Sequence, residues 1–220
     1  MKKIVIILMM LICGIISAQT AKEIIDKNIE LSGGLTNWKL LNSTILQGKL
    51  TLGINDSYQV KILQQRPNLT KTVITINKKE TVLEAYDGKK GYAMNYATNK
   101  LQEYPNYIPE SFDTDFIDWE NKGFEAKYLG KEKVGDIYCH KVELTKNVNK
   151  TIYYFDTRSY MVIKEVKSDE TMVYGDYRKV GGLLMPFRIE SSSPKKDSDY
   201  VININSIDTN KALPANTFKF

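Results

Sequence analysis

The sequence is short of the residues that catalytic sites most often recruit. It carries one histidine, His140, and two cysteines, Cys13 and Cys139. A single His excludes HExxH and every other His-pair metal motif. There is no GxSxG elbow and no P-loop, which removes two further families of chemistry. Cys139 and His140 are adjacent, and adjacent strand residues point to opposite faces. They therefore form no Cys–His couple, and a buried Cys139 beside an outward His140 is expected. Beyond Cys13 only Cys139 remains, so there is no internal disulfide to staple the chain. The acids Asp113, Asp115, Asp118 and Glu120 lack the glycine and the terminal Glu of a calcium loop and read as a solvated face. No metal, no cofactor and no enzymatic activity are expected, because acid–base and nucleophilic sites recruit a His or a paired base. A paired-carboxylate site in a deep cleft would be needed to reverse that.

Charge of one sign is also lacking. The formal net charge is +5, with Lys interspersed among Glu and Asp, so there is no basic stripe for nucleic acid. The one long apolar run lies at the N-terminus. Lys2 and Lys3 precede an unbroken stretch from Ile4 to Ile12, followed by Cys13-Gly14-Ile15-Ile16 and the small pair Ser17-Ala18. That order is the order of a secretory signal peptide, and the run is shorter than the ~20 residues that span a bilayer. Cleavage is expected after Ala18, leaving 19–220 as one exported domain. Cys13 follows the large Ile12, which argues against a lipoprotein-type acylation site.

The domain opens with a helix. Thr20 and Glu23 form a capping box, Ile24, Ile25 and Ile29 recur at helical spacing, and Gly33-Gly34 supplies the stop. A second short helical piece carries Trp38 and Leu41. From Thr44 the period becomes two: Leu46, Leu50 and Leu52 alternate with Gln47, Lys49 and Thr51, and Tyr58, Val60 and Ile62 alternate with Gln59 and Lys61. Further runs at 69–77, 80–86, 90–96, 124–129, 137–145, 151–155, 160–167, 171–178, 184–190 and 199–207 are separated by turn signals, among them Gly181-Gly182. Short alternating runs of this kind are hairpins of an antiparallel sheet with one face buried, and so many strands must curl to manage their edges. Between Pro109 and Glu120, Phe112, Phe116 and Trp119 recur at helical spacing. A short amphipathic helix is expected there, with its rings over the open mouth of the sheet and Asp113, Asp115 and Asp118 in water.

Three stretches carry a family likeness: the opening helix with its Gly-Gly stop and Trp38; Tyr128-Leu129-Gly130-Lys131-Glu132-Lys133-Val134-Gly135 with the following strand and Tyr153-Tyr154-Phe155-Asp156; and Asp176-Tyr177-Arg178-Lys179-Val180-Gly181-Gly182-Leu183-Leu184-Met185-Pro186. Together they resemble the periplasmic lipoprotein carrier (LolA-like) superfamily, in its outer-membrane lipoprotein-sorting-protein branch. The resemblance implies a mainly β fold, an unclosed, strongly curved antiparallel barrel covered by a helical lid over an apolar cavity. It implies a periplasmic carrier of lipoprotein acyl chains or another lipid, working as a monomer between an inner-membrane release complex and an outer-membrane receptor. The expected lining is Leu46, Leu50, Leu52, Tyr58, Val60, Ile62, Tyr92, Met94, Phe112, Phe116, Trp119, Leu144 and Tyr154. Carrier members use an Arg on an early strand to hold the lid closed; Arg66 is the one early-strand Arg here, and it directly precedes Pro67. The alternative function is a regulatory or sensor module of the same fold in envelope homeostasis, with its core filled by its own side chains.

Overall fold

The computed structural model describes residues 20–53, 56–95, 97–105, 107, 112–194 and 199–220; the expected signal peptide lies outside them. Helix α1 spans Ala21–Leu31 and is capped as its sequence dictates. The Glu23 N–H donates to Thr20 Oγ1 at 3.1 Å, and the Thr20 N–H donates to Glu23 Oε2 at 2.7 Å. Ile24 and Ile25, one face of the helix, are fully buried. Gly33 and Gly34 turn the chain with positive φ, and helix α2, Leu35–Leu40, follows with Trp38 buried.

The described residues form thirteen strands, all in one antiparallel sheet. Six follow the helices: β1 (Ser43–Leu52), β2 (Asp56–Gln65), β3 (Leu69–Ile76), β4 (Lys79–Tyr86), β5 (Gly91–Asn95) and β6 (Lys100–Tyr104). Seven more are β7 (Glu125–Val134), β8 (Ile137–Lys146), β9 (Asn149–Asp156), β10 (Val162–Val166), β11 (Thr171–Val180), β12 (Leu183–Ser192) and β13 (Tyr200–Thr209). The spatial order is β6-β5-β4-β3-β2-β1-β13-β12-β11-β10-β9-β8-β7. Two meanders are thus joined where β1 pairs with β13, and the sheet is left open at β6 and β7. The alternation of the sequence anticipates every strand but β6, whose Lys-Leu-Gln-Glu-Tyr run is polar because it lies at an edge. The Gly181-Gly182 turn forms as expected, both residues at positive φ between the paired Val180 and Leu183. At the other edge, β7 carries Lys127, Lys131, Glu132 and Lys133, and its register shifts between Tyr128 and Gly130. Charges and a bulge of this kind discourage a further strand from adding.

β6 and β7 sit at opposite edges, and between them the described residues 112–124 lie across one face of the sheet. In this crossing the structure corrects the sequence reading. Residues 112–123 are bends and turns, not a helix. The Thr114 hydroxyl accepts from the Phe116 N–H at 3.1 Å, and Asp118 takes φ +53°. Short polar side chains compete with the helical ladder in this way. The rings still bury: Phe116 and Trp119 pack with Ile24, Ile25, Val142, Leu144, Tyr153 and Phe155, while Phe112 packs with Trp38, Leu41, Ile117, Leu183 and Met185. The 110–111 end of the expected helix lies outside the described residues.

His140 is a second correction. It is 2% exposed and shares its phase with the buried Val142 and Leu144. Its Nδ1 lies 3.4 Å from the Tyr128 hydroxyl, and its ring stacks on Tyr160. Burial, aided by Lys131, lowers its pKa. Cys139 is fully buried as expected, and burial pushes its thiol up to about 11.

Candidate functional site

A cavity of about 520 Å³ opens between α1, the turn segment 112–116 and strands β8–β12. One wall is apolar: Trp38, Phe116, Phe124, Met161, Val162, Leu184 and Pro186. The end of the β11–β12 hairpin acts as a partition. Leu184 and Pro186 line the cavity, while Leu183 and Met185 pack in the cluster of Leu41, Phe112 and Ile117, with Trp38 common to both. The partition is seated by close backbone contact with the helices. The Leu184 N–H donates to the Ser32 carbonyl at 2.8 Å, and a Cβ on Gly33 would meet the Gly182 carbonyl. The two Gly-Gly pairs conspicuous in the sequence therefore meet one another.

The rest of the lining is polar, with charged side chains that the sequence did not single out. Pairing of β8, β9 and β10 places Val142, Tyr153 and Glu165 side by side. The Tyr153 hydroxyl donates to Asp115 Oδ2 at 2.6 Å and lies 3.5 Å from Glu165 Oε1. The Tyr174 hydroxyl donates to Glu165 Oε2 at 2.7 Å. Lys146 pairs with Asp115 at 2.6 Å and Lys167 with Glu165 at 3.4 Å. Among the described residues the cluster brings together two carboxylates and two ammonium groups. Burial, with the adjoining carboxylates, raises the Tyr153 pKa far above its ordinary value, so this phenol stays a donor. Tyr177, raised by burial alone, donates to the Val162 carbonyl at 2.7 Å. Asp115 and Glu165 form a carboxylate pair in a cleft, the feature that an acid–base enzyme would need. Among the described contacts Asp115 faces Lys146 and Tyr153, and Glu165 faces Lys167, Tyr174 and, at 3.5 Å, Tyr153.

The roof is tied down at four acids. Arg66, just past β2, donates from Nε to the Leu41 carbonyl at 2.6 Å, from Nη2 to the Trp38 carbonyl at 2.9 Å and from Nη1 to Asp113 at 2.8 Å. Its guanidinium also lies 5.1 Å from the centre of the Phe112 ring. Asp115 is held as described, Asp118 pairs with Lys39 at 2.9 Å, and Glu120 pairs with Lys22 at 3.0 Å. Asp113 and Asp115, expected in water, are only 10% and 16% exposed. The segment crosses the sheet, so its acids meet cations from several elements instead of solvent.

Of the thirteen residues expected to line a lipid site, Phe116 alone lines this cavity. Leu46, Leu50, Leu52, Tyr58, Val60 and Ile62 gather in the other half of the sheet in an apolar cluster with Ile74, Phe187, Ile202 and Ile204. Leu144 and Trp119 lie in the core beneath α1, and Phe112 lies beneath α2. Register from Ile62 through Thr72 and Glu84 to Ala93 puts Tyr92 and Met94 on the opposite face. There Tyr92 packs on Phe220 of the C-terminal tail. Tyr154 points away from its neighbour Tyr153 and sits between Lys141 and Lys164.

Compared by sequence, the chain matches no protein-family model and no curated protein. Compared by structure, it is similar to a domain from Vibrio parahaemolyticus assigned to outer membrane lipoprotein sorting, with 11% identity, 90% of this chain and 96% of the other covered, and a TM-score of 0.60. A DUF1329 family protein from Desulfovibrio piger matches at 10% identity, 92% and 98% coverage and a TM-score of 0.59. A LolA superfamily protein from Nitrosomonas europaea matches at 14% identity, 92% and 99% coverage and a TM-score of 0.59. The chain has the fold of the LolA superfamily and of lipoprotein-sorting domains: an unclosed antiparallel sheet with short helices laid over one face.

Proposed function

We propose that the chain is an exported, periplasmic binding protein or carrier for a lipid or lipoprotein acyl chain, serving outer-membrane lipoprotein sorting, and not an enzyme. The observation that carries this reading is the cavity itself, roofed by a clamped crossing segment on a fold shared with lipoprotein-sorting domains. A transferred chain gains ~0.8 kcal/mol per buried CH₂, so the apolar wall binds without chemistry. The second reading is a regulatory or sensor module of the same fold, for which a stable envelope-protein partner in a pull-down would be the distinguishing result. On this view residues 1–18 are the cleaved leader and 19–220 the working domain, which hands its ligand to an outer-membrane receptor.

Two measurements test it. Native mass spectrometry of protein purified from a membrane-containing lysate should show a bound lipid, and a fluorescent acyl probe should bind the emptied protein. Protein that is always ligand-free and ignores the probe would overturn the reading. The intact mass of the secreted form should start at Gln19.

A further inference from the structure

We infer that the cavity admits one alkyl chain and measures its length, while the head stays at the mouth and is not selected. This rests on the lipid-binding reading and adds the number and length of the chains. Length comes first. The inner end is formed by the buried Ser32, Trp38 and Met161. The mouth lies at the β8–β9 turn, where Asn147 and Asn149 are exposed and line the opening. Strand β10 runs from one to the other, since Val166 pairs with Ile152 near that turn. Val162, Glu165 and Lys167 all belong to the lining. At ~3.3 Å per strand residue, Val162 to Lys167 spans about 16 Å. Carbon–carbon bonds of ~1.52 Å meeting at ~111° advance ~1.25 Å each, so about 13 carbons bridge that span.

Volume comes second. At the ~30 Å³ that one water occupies in the liquid, and a methylene about the same, a space of 520 Å³ holds about 17 carbons. Two parallel chains of about 13 carbons would need about 780 Å³ on that scale. Length and volume thus agree on one chain with its head outside. The polar lining makes no demand of its own on the ligand. Tyr153 bonds to Asp115 and Glu165, and Tyr174 to Glu165. Among the described residues no buried side-chain nitrogen or oxygen lacks a partner. A satisfied group gains little by exchanging its partner for a ligand atom, because only the difference between the two bonds counts. Selection therefore falls on the alkyl chain, which gains with each methylene buried until the inner end is reached.

The test is displacement of a bound fluorescent acyl probe from the full chain by lysophosphatidylcholines of increasing chain length, each below its micelle-forming concentration. Affinity should rise about threefold to fourfold per added methylene and level off between about 13 and 17 carbons. Lauroyl-lysophosphatidylcholine should compete at least about tenfold better than dihexanoylphosphatidylcholine, which divides the same number of chain carbons between two chains. At one chain length, choline, ethanolamine and glycerol heads should agree within about threefold, less than one net hydrogen bond. Leu184→Trp fills part of the cavity and should move the plateau to shorter chains. If that variant fails to fold, Met161→Ala enlarges the inner end and should move the plateau to longer ones. An affinity that keeps climbing past the plateau, parity of the one-chain and two-chain lipids, a strong head preference, or a plateau that a folded variant leaves unmoved overturns this inference and leaves the lipid-binding reading standing. Failure of every amphiphile, and of the probe, overturns both.

Discussion

Replacing Arg66 with Met should release the roof of the cavity. The substitution keeps most of the aliphatic stem over Phe112 and removes three N–H donations, to the Leu41 and Trp38 carbonyls and to Asp113. Hydrogen bonds to charged groups contribute about 1.5–3 kcal/mol each, and breaking a fully buried ion pair costs about 3–5 kcal/mol. Arg66 is 30% exposed, so water recovers part of this. Asp113 also retains Lys122 at 3.8 Å. The expected loss is therefore about 2–3 kcal/mol, read as a fall in the urea midpoint at unchanged slope. Asp113→Asn alone should cost less. Made in the Arg66→Met background it should cost less again, with a coupling energy of about 1–2 kcal/mol. Amides of residues 112–123 should exchange faster in the single mutant. A loss below about 0.5 kcal/mol, the range of exposed pairs, or strictly additive effects, would show that the guanidinium decorates the roof without holding it.

Gly33→Ala should destabilise the fold by about 3 kcal/mol or more. Its Cβ would lie 2.5 Å from the Gly182 carbonyl at φ +129°, adding overpacking to backbone strain. Gly34→Ala, at φ +85° with nothing nearby, should cost only about 1–2 kcal/mol; equal thermal shifts would deny the close approach. Phe116→Glu places a charge among Tyr153 and Phe155, and should lose several kcal/mol in thermal unfolding together with probe binding. Cys139, fully buried and with its thiol pushed up to about 11, should resist a thiol reagent at neutral pH until urea unfolds the chain; fast native labelling would contradict the burial. His140 has a folded pKa below its ordinary value of 6.5, so the unfolded chain binds its proton first as pH falls. Its contribution is complete above about pH 6.5 and is lost as pH drops from there through the folded pKa, by about 1.4 kcal/mol per unit of depression. His140→Gln should flatten that part of the stability–pH curve measured in urea.

The strands were legible because alternation and turn residues are local signals. Leu46-x-x-x-Leu50-x-Leu52 and Gly181-Gly182 specify a strand and a hairpin without reference to the rest of the chain. The crossing segment was not. Steps of four and three put Phe112, Phe116 and Trp119 on one side of an ideal helix, but a turn-rich strap bound at Asp113, Asp115 and Asp118 presents the same rings downward. What distinguishes the two is the position of Arg66, Lys146 and Lys39, remote in sequence. The polar part of the cavity was hidden for the same reason. Asp115, Lys146, Tyr153, Glu165 and Tyr174 each read as an ordinary polar position on its own segment, and only register gathers them. His140 was readable and misread: counting His140-x-Val142-x-Leu144 as one phase puts it on the core face. Alternation also reported that Leu50 and Val60 face inward, without telling that the cavity opens in the other half of the sheet.

The seam between β1 and β13 has a consequence for the order of assembly. Residues 44–52 pair on one side with β2, a local partner, and on the other with 200–209, the last strand of the chain. Until that strand arrives, β1 offers an unpaired edge beside Leu46, Leu50 and Leu52, a template for the wrong neighbour. The two meanders can each form early, but their union waits for the most distant contact in the sheet, the kind that slows folding most. Gly48 marks the fit of the final step, since a side chain there would strike the Asn203 carbonyl.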